Sequence, residues 1–351
     1  MDKPRVTQQD IAAKAGVTRA AVSMALNNHP SIPVRTRKRI AAIATRLGYA
    51  PDPMLSALAA YRSRNRPATY HGTLAWLINS AFGHNWRRTQ HFIDFYDGAV
   101  ARARRHGFGL EVYDFNQPKM TPDRLAAILR ARNISGLLLS PQPRSDTVID
   151  FPWRDFSTVT FGYSLSSPHL HTVVSTQYRD MRLTLEHVQK LGYRRIGLVL
   201  AKDHDLRTDR NYLAAYLVHE YGTEGEPPPP PLLLRAYEDA AALGEWLRRH
   251  RPDAIVGAVK DVILRNLRQL GLRLPDDLGV AFPNLGRADP RVAGVVESST
   301  EIGAVAVDVL VAMIHRGERG VPEFPQRIHV EGRWTPGKSL RRVGGVSGDP
   351  T

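Results

Sequence analysis

The stretch VTQQDIAAKAGVTRAAVSMALNNHP, residues 6–30, decides the fold of the first part of the chain. Thr7 and Asp10 stand three residues apart, the spacing of a capping box, in which a hydroxyl and a carboxylate satisfy backbone donors at a helix start. Ile11, Ala12, Ala15 and Val17 follow as a short apolar stripe, and Gly16 supplies the residue that can turn the chain through positive φ. Thr18 can cap a second helix that buries Ala21, Val22, Ala25 and Leu26. Its other face carries Arg19, Ala20, Ser23 and Met24. Small residues at Ala12, Ala13 and Ala21 let the two helices cross closely. Ile40, Ile43, Ala44 and Leu47 predict a third helix, with Gly48 beyond its end. Two short helices, a glycine turn and a closing helix make a helix-turn-helix unit.

Charge points the same way. Residues 1–66 hold twelve Lys/Arg against three acids, so they carry nine of the net fourteen positive charges. A folded segment this basic implies a polyanionic partner, and double-stranded DNA fits the motif. The absence of cysteine excludes disulfides and thiolate zinc sites. No apolar run reaches the roughly 18–20 residues of a membrane helix. A cytoplasmic protein of two or three domains, without a membrane partner, is expected.

The pieces DIAAKAGVT, AVSMALN, TRKRI, LGYAPDP and LSALA, spread over residues 10–59, together resemble the N-terminus of LacI-type (lactose-repressor/galactose-repressor) transcription regulators. The resemblance implies that the second helix enters the major groove, with Arg19, Ala20, Ser23 and Met24 toward the bases and Asn27 also in contact with the DNA. Arg19 can donate two hydrogen bonds to a guanine, worth about 1–3 kcal/mol of discrimination. Ala20 and Met24 can make only apolar contacts, as with a thymine methyl. Thr7, Thr18, Thr36 and the cluster from Arg35 to Arg39, Arg37 among them, are expected on phosphates, which fix register without reading sequence. Residues 53–60, PMLSALAA, resemble the family's hinge helix, which folds when two copies meet in the minor groove. Ala57 and Leu58 would lie there, and Leu58 would wedge between base pairs and kink the duplex.

From residue 70 onward short apolar runs alternate with helical patterns. Strands are expected at 73–79, 110–115, 136–140, 158–161, 195–200, 254–259 and 279–282, and helices near 89–106, 121–132, 177–191, 209–221, 239–250, 261–271 and 300–316. This alternation predicts parallel sheets with helices on both faces. The runs LGYRRIGLVL, LGLRLPDDLGVAF and IHVEGRW extend the family resemblance and, through it, the likeness to periplasmic sugar-binding proteins. The expected fold is therefore an all-α helix-turn-helix DNA-binding headpiece followed by an α/β two-lobed periplasmic-binding-protein-like sensor domain.

Its expected divisions are a headpiece at 1–52, hinge helix and linker at 53–68, the effector-binding and dimerisation domain at 69–342, and a tail at 343–351. Lobe 1 takes 69–168 and 298–323, lobe 2 takes 169–297 and 324–342, and the chain crosses near 168–172, 296–300 and 322–326. An effector should lie between the lobes at the carboxyl ends of the strands. Strand ends nominate Asn79, Ser80, Trp86, Ser140, Tyr163, Arg207, Arg210, Asp261 and Asn284, polar groups beside an aromatic that suit a sugar, nucleoside or similar small molecule. Tyr212 falls where relatives often carry an effector-binding arginine, and Asn284 where they often carry an aspartate. The five prolines at 227–231 must be extended and are expected in a surface loop.

No GxxxxGK[ST], GxSxG, HExxH or complete GxGxxG occurs, so neither an enzyme nor a cofactor is expected. His169 with His171, and His204 between Asp203 and Asp205, are not expected to hold a metal. The whole reads as a sequence-specific repressor, a homodimer on a near-palindromic operator whose affinity a small-molecule effector controls. The alternative is a small-molecule-binding protein of the same fold without regulated DNA binding.

Overall fold

The computed structural model describes residues 6–26, 31–49, 72–81, 85–221 and 227–343. Asn27, the hinge stretch with Ala57 and Leu58, the linker after it and residues 344–351 lie outside the described residues.

The headpiece has three helices, α1 (Gln8–Ala15), α2 (Arg19–Leu26) and α3 (Val34–Leu47). The capping box forms: the Asp10 N–H donates to Thr7 Oγ1 at 3.4 Å and the Thr7 N–H to Asp10 Oδ2 at 2.7 Å. Gly16 at φ 63° and Gly48 at φ 71° end α1 and α3 in the left-handed region. Ile11, Ala12, Ala15, Val22, Ala25, Ile40 and Ala44 form the headpiece core. Ala21 and Leu26 are only half-buried, so the core face of α2 is narrower than its sequence predicts.

The rest of the chain builds two six-stranded sheets. In order it forms β1 (Gly72–Ile78), α4 (Gln90–Arg105), β2 (Phe108–Asp114), α5 (Pro122–Ala131), β3 (Gly136–Leu139), β4 (Thr147–Val148), β5 (Ser157–Phe161), β6 (Leu165–Ser167) and β7 (His171–Ser175). Then come α6 (Gln177–Lys190), β8 (Ile196–Ala201), α7 (Lys202–Arg207), α8 (Asn211–Tyr221), β9 (Leu232–Leu234), α9 (Ala240–His250), β10 (Ala254–Gly257), α10 (Lys260–Gln269), β11 (Gly279–Leu285) and β12 (Ala293–Val296). The chain ends with α11 (Ser299–Arg316), β13 (Arg327–Val330) and β14 (Arg333–Thr335). The first sheet runs β13-β7-β5-β3-β1-β2, all parallel; the second runs β14-β12-β11-β10-β8-β9, parallel except for the antiparallel β12–β14 pair. β4 and β6 make a small separate sheet. The central strands β3, β5, β8 and β10 are buried along their whole length, as parallel strands covered on both faces must be.

The chain passes between the lobes at Thr176, at Glu297 to Ser298 and at Glu331 to Gly332. Two of these crossings correct the expected boundaries. His171–Ser175 stays in the first sheet, paired with β5 and β13, and Arg327–Val330 stays there too. The parallel ladder, closed by Thr172 N–H donating to the Gln326 carbonyl at 2.9 Å, carries both segments several residues beyond the predicted crossings. α4 and α11 pack at backbone contact in lobe 1: a Cβ on Gly98 would lie 1.9 Å from the Thr300 carbonyl oxygen, and one on Gly303 1.9 Å from that of Phe95. The proline stretch is pinned to lobe 2, because Tyr216 donates to the Pro229 carbonyl at 2.7 Å and Trp246 Nε1 to that of Pro230 at 3.0 Å. Among the described residues, no helix is long and apolar enough to cross a membrane.

Candidate nucleic-acid interface and interlobe cleft

α2 presents Arg19 and Ala20 to solvent, with Ser23 and Met24 half-buried beside them. The Thr18 hydroxyl accepts the Ala21 N–H at 3.2 Å and so fixes the start of this helix, and its own proton stays free for a phosphate. Thr7 differs. Its hydroxyl proton goes to Asp10 Oδ2 at 2.8 Å, and those donors hold the Asp10 carboxyl below the usual range, so Thr7 acts first as a cap. Met24 Sδ accepts from Ser31 Oγ at 3.8 Å, which draws its tip toward the turn before α3. Thr36 and Arg37 lie half-buried in the first turn of α3. Arg39 corrects the expected phosphate cluster: its guanidinium donates to the Ala15 carbonyl at 3.1 Å and seals the end of α1.

At the interlobe cleft, the first wall is built from strand ends. Asn79, just past β1, donates to Gln142 Oε1 at 2.9 Å and accepts from Asn116 at 2.6 Å. Gln142 in turn donates to the Ser140 carbonyl at 2.7 Å, and Ser80 N–H to Asp114 at 3.2 Å. Four contacts join this wall to lobe 2. Arg207 donates to the Pro143 carbonyl at 3.0 Å, Ser145 to Asp203 at 3.0 Å, and Arg287 to Asp94 at 2.9 Å. Arg327 lies 3.6 Å from Asp209 and over the Tyr163 ring at 5.1 Å.

The electrostatics of the cleft follow from burial. Desolvation, with the positive charge of Arg207 nearby, holds His204 down at about 4 and lowers His91, where Glu297 and Asp94 partly oppose it. Both imidazoles are therefore neutral near pH 7, each with one donor and one acceptor nitrogen. The His204 ring stacks on Tyr212 at 6.1 Å and meets Tyr237 edge-on at 5.8 Å. Desolvation also lowers Arg207 and raises the Tyr163 phenol, while Tyr212, facing Asn284, is raised well above its ordinary value. A guanidinium, neutral imidazoles, carboxylates and an amide along the facing lobe edges are groups that can bind a hydroxyl-rich ligand through directed hydrogen bonds.

Of the nominated residues, Asn79, Ser80, Ser140, Tyr163, Arg207 and Asn284 stand at these strand ends or along the lobe contacts. Four do not behave as expected. Trp86 is buried at 3% exposure, 6.1 Å from the Trp76 ring and 5.1 Å from Tyr96, with Arg87 over its face, so it plugs lobe 1 instead of offering a platform. Tyr212 is wholly buried in the lobe 2 core and can offer a ligand at most its hydroxyl. Asp261 is exposed at the start of α10 beside Lys260, and Arg210 is exposed in a turn at φ 56°. The sequence reading missed His91, Asp94, Gln142, Arg287 and Glu297. His91 and Asp94, three apart on α4, share a helix face, but nothing local links them to Arg287 in the other lobe. His171 Nδ1 accepts the Gln326 N–H at 3.0 Å and serves the sheet edge.

Comparison with known proteins agrees with both halves. Residues 7–52 match the model of the bacterial regulatory proteins of the lacI family, and residues 185–340 match that of the periplasmic binding protein-like domain. HTH-type transcriptional regulator GntR of Escherichia coli (strain K12) is 25% identical over 344 residues, covering 92% of this chain and 96% of that protein. HTH-type transcriptional repressor CytR of the same strain is 23% identical over 321 residues, covering 87% and 89%. Among solved structures, a CelR–cellobiose complex aligns at TM-score 0.57 and 22% identity over 96% of this chain and 100% of that one. The lac repressor dimer bound to operator and the anti-inducer ONPF aligns at TM-score 0.55 and 16% identity over 95% and 99%. A capped helix-turn-helix reader joined to a two-sheet sensor, each matched at its own place in the chain, gives this protein the domain make-up of the DNA-binding transcriptional regulators of the lacI family.

Proposed function

We propose that this regulator is a cytoplasmic repressor that binds a near-palindromic operator as a homodimer and releases or tightens its grip when a small polar effector enters the interlobe cleft. The observation that carries the reading is the exposed Arg19 and Ala20 face of a properly capped α2, on a headpiece that heads a two-lobed sensor. The lac repressor, solved as a dimer on its operator, supports the dimeric state, since two readers then meet two half-sites. CelR, solved with cellobiose, supports a carbohydrate or a molecule of similar polarity as the effector. Arg207, His204 and Asn284 supply the donors and acceptors for it. Leu58 is the proposed wedge at the operator centre.

The test is selection of random DNA duplexes by the full-length protein without added ligand. An enriched palindrome with a fixed central step supports the dimeric reader. Binding without enrichment that fades uniformly as salt rises would replace it with charge attraction alone.

A further inference from the structure

The starts of three lobe 2 strands lie side by side, with Ile196, Ala254 and Gly279 in register. They stand at the end of the sheet opposite the cleft, which the carboxyl ends of the same strands line. Two connections that lead into them are rich in arginine: Arg194 and Arg195 before β8, and Arg248, Arg249 and Arg251 around the end of α9. Hydrogen bonds draw these connections together. The Arg195 guanidinium donates to the His250 carbonyl at 2.7 Å and to the Arg251 carbonyl at 3.4 Å, acceptors that the end of α9 leaves over. Asp253 accepts the Arg194 N–H at 2.8 Å and the Arg195 N–H at 3.0 Å. The C-terminal segment adds a third source of charge. Val343 N–H donates to the Leu191 carbonyl at 2.8 Å and Arg341 N–H to the Tyr193 hydroxyl at 3.1 Å, which brings Arg342 to the turn after Lys190.

Pairing does not quench this surface. Asp253 spends both carboxylate oxygens on backbone N–H groups, and Arg341 is taken by Asp276 at 3.3 Å. Lys190, Arg194, Arg248, Arg249, Arg251 and Arg342 are exposed, and among the described residues none of them has an ion-pair partner. Cations in the last turn of a helix complement its dipole, which accounts for Arg248 and Arg249 as a local feature. It does not account for the convergence of three separate segments on one face, where like charges repel. A face rich in arginine matches an array of phosphates, which guanidinium groups bind in paired hydrogen bonds.

The position of the face selects among polyanions. The chain enters lobe 1 at Gly72, the start of β1, whose far end leads to Asn79 at the cleft. The headpiece is therefore tethered to one pole of the sensor, and the basic face forms the other. We propose that this face binds the phosphate backbone of a second DNA duplex while the headpiece holds the first, so that the protein bridges two segments. DNA is favoured over an acidic protein because a headpiece seated on one stretch of a long DNA holds neighbouring stretches at high local concentration. Contacts to phosphate carry no sequence information, so the second segment can be of any sequence.

The chain has no cysteine, so Gln189→Cys, exposed at the end of α6, gives the full-length protein a single site for a photo-crosslinker. The probe is a duplex of random sequence at about 50 mM salt, where phosphate contacts are strong. The expected result is a crosslink from this position and none from the exposed Asp123→Cys on lobe 1. The crosslink should fall about tenfold or more in the triple variant Arg194→Gln, Arg248→Gln, Arg249→Gln. On beads carrying a first duplex, the protein should also capture a fluorescent second one, whereas the triple variant should hold the first and lose the second. No crosslink at Gln189→Cys, a crosslink undiminished in the triple variant, or unchanged capture of the second duplex by that variant would each overturn the proposal. Polyglutamate that suppresses the crosslink at charge concentrations where competitor duplex does not would overturn it too, and would reassign the face to an acidic protein.

Discussion

At the scale of single residues, the two ends of the molecule give different kinds of test. Arg19 is exposed on the reading face. Arg19→Ala should cost about 1–3 kcal/mol at one base position of each half-site, measured by binding to operator variants carrying each base there. Uniform weakening across all four bases would reassign Arg19 to a phosphate. Inside the sensor, Asp180 and His204 have opposite linkage. Asp180, on α6 and raised to about 7 by desolvation, holds a proton that the unfolded chain releases near its ordinary carboxylate value, so its contribution to stability is lost as pH rises from there to about 7. His204, lowered to about 4, stays neutral where the unfolded chain is protonated, so its contribution is lost as pH falls. The two slopes oppose each other in acid. Asp180→Asn should unmask the histidine slope, so that denaturant midpoints of the variant rise with pH relative to the parent up to about 7. Parallel profiles for the two proteins would place the titrating proton elsewhere.

At the scale of elements, the tightest fits are backbone fits. Gly98 and Gly303 let α4 and α11 touch, and no side chain at either position can swing clear of a carbonyl oxygen. Gly303→Ala should therefore destabilise the sensor by about 1–3 kcal/mol or more, as overpacking does, with thermal unfolding as the readout. Thr7→Ala removes the hydroxyl half of the capping box, leaving only the backbone N–H of residue 7 on Asp10, and should cost the headpiece about 1 kcal/mol, seen as earlier loss of headpiece helicity on heating. Elements of this kind were legible in the residues. The turn glycines, the capping box and the continuous apolar runs of β3, β8 and β10 are local signals, and each element formed where its signal lies. What was not legible is decided over distance. Residues 168–172 read as a crossing between the lobes until the neighbouring β5 and β13 give His171–Ser175 its backbone partners. Trp86 reads as a cleft aromatic because nothing nearby reveals Trp76 and Tyr96 beneath it. Arg287 and Asp94 meet across 193 residues, and only the folded lobes bring them together.

At the scale of the whole molecule, reader and sensor obey different physics. Phosphate contacts make operator affinity fall with salt at a slope of roughly −0.9 per contact, and replacing one of the exposed headpiece cations, Arg35 or Lys38, should lower that slope by about one. A filter-binding titration over salt concentration checks this, and an unchanged slope would remove that cation from the interface. The sensor answers to the balance between its lobes. Arg287→Ala leaves Asp94 without its partner across the cleft and should shift the lobes apart, visible as a larger radius of gyration in solution scattering. An unchanged radius would mean that the remaining contacts hold closure alone. The Arg287–Asp94 pair bridges the lobes beside the cleft proposed for the effector. If the proposed effector binds there, it competes with this closed contact and enters only while the lobes are apart. If one molecule in a hundred is open at a given moment, the effector's apparent affinity is about a hundredfold weaker than its affinity for the open form. Such a regulator stays silent at trace concentrations of its signal and responds when that signal is abundant.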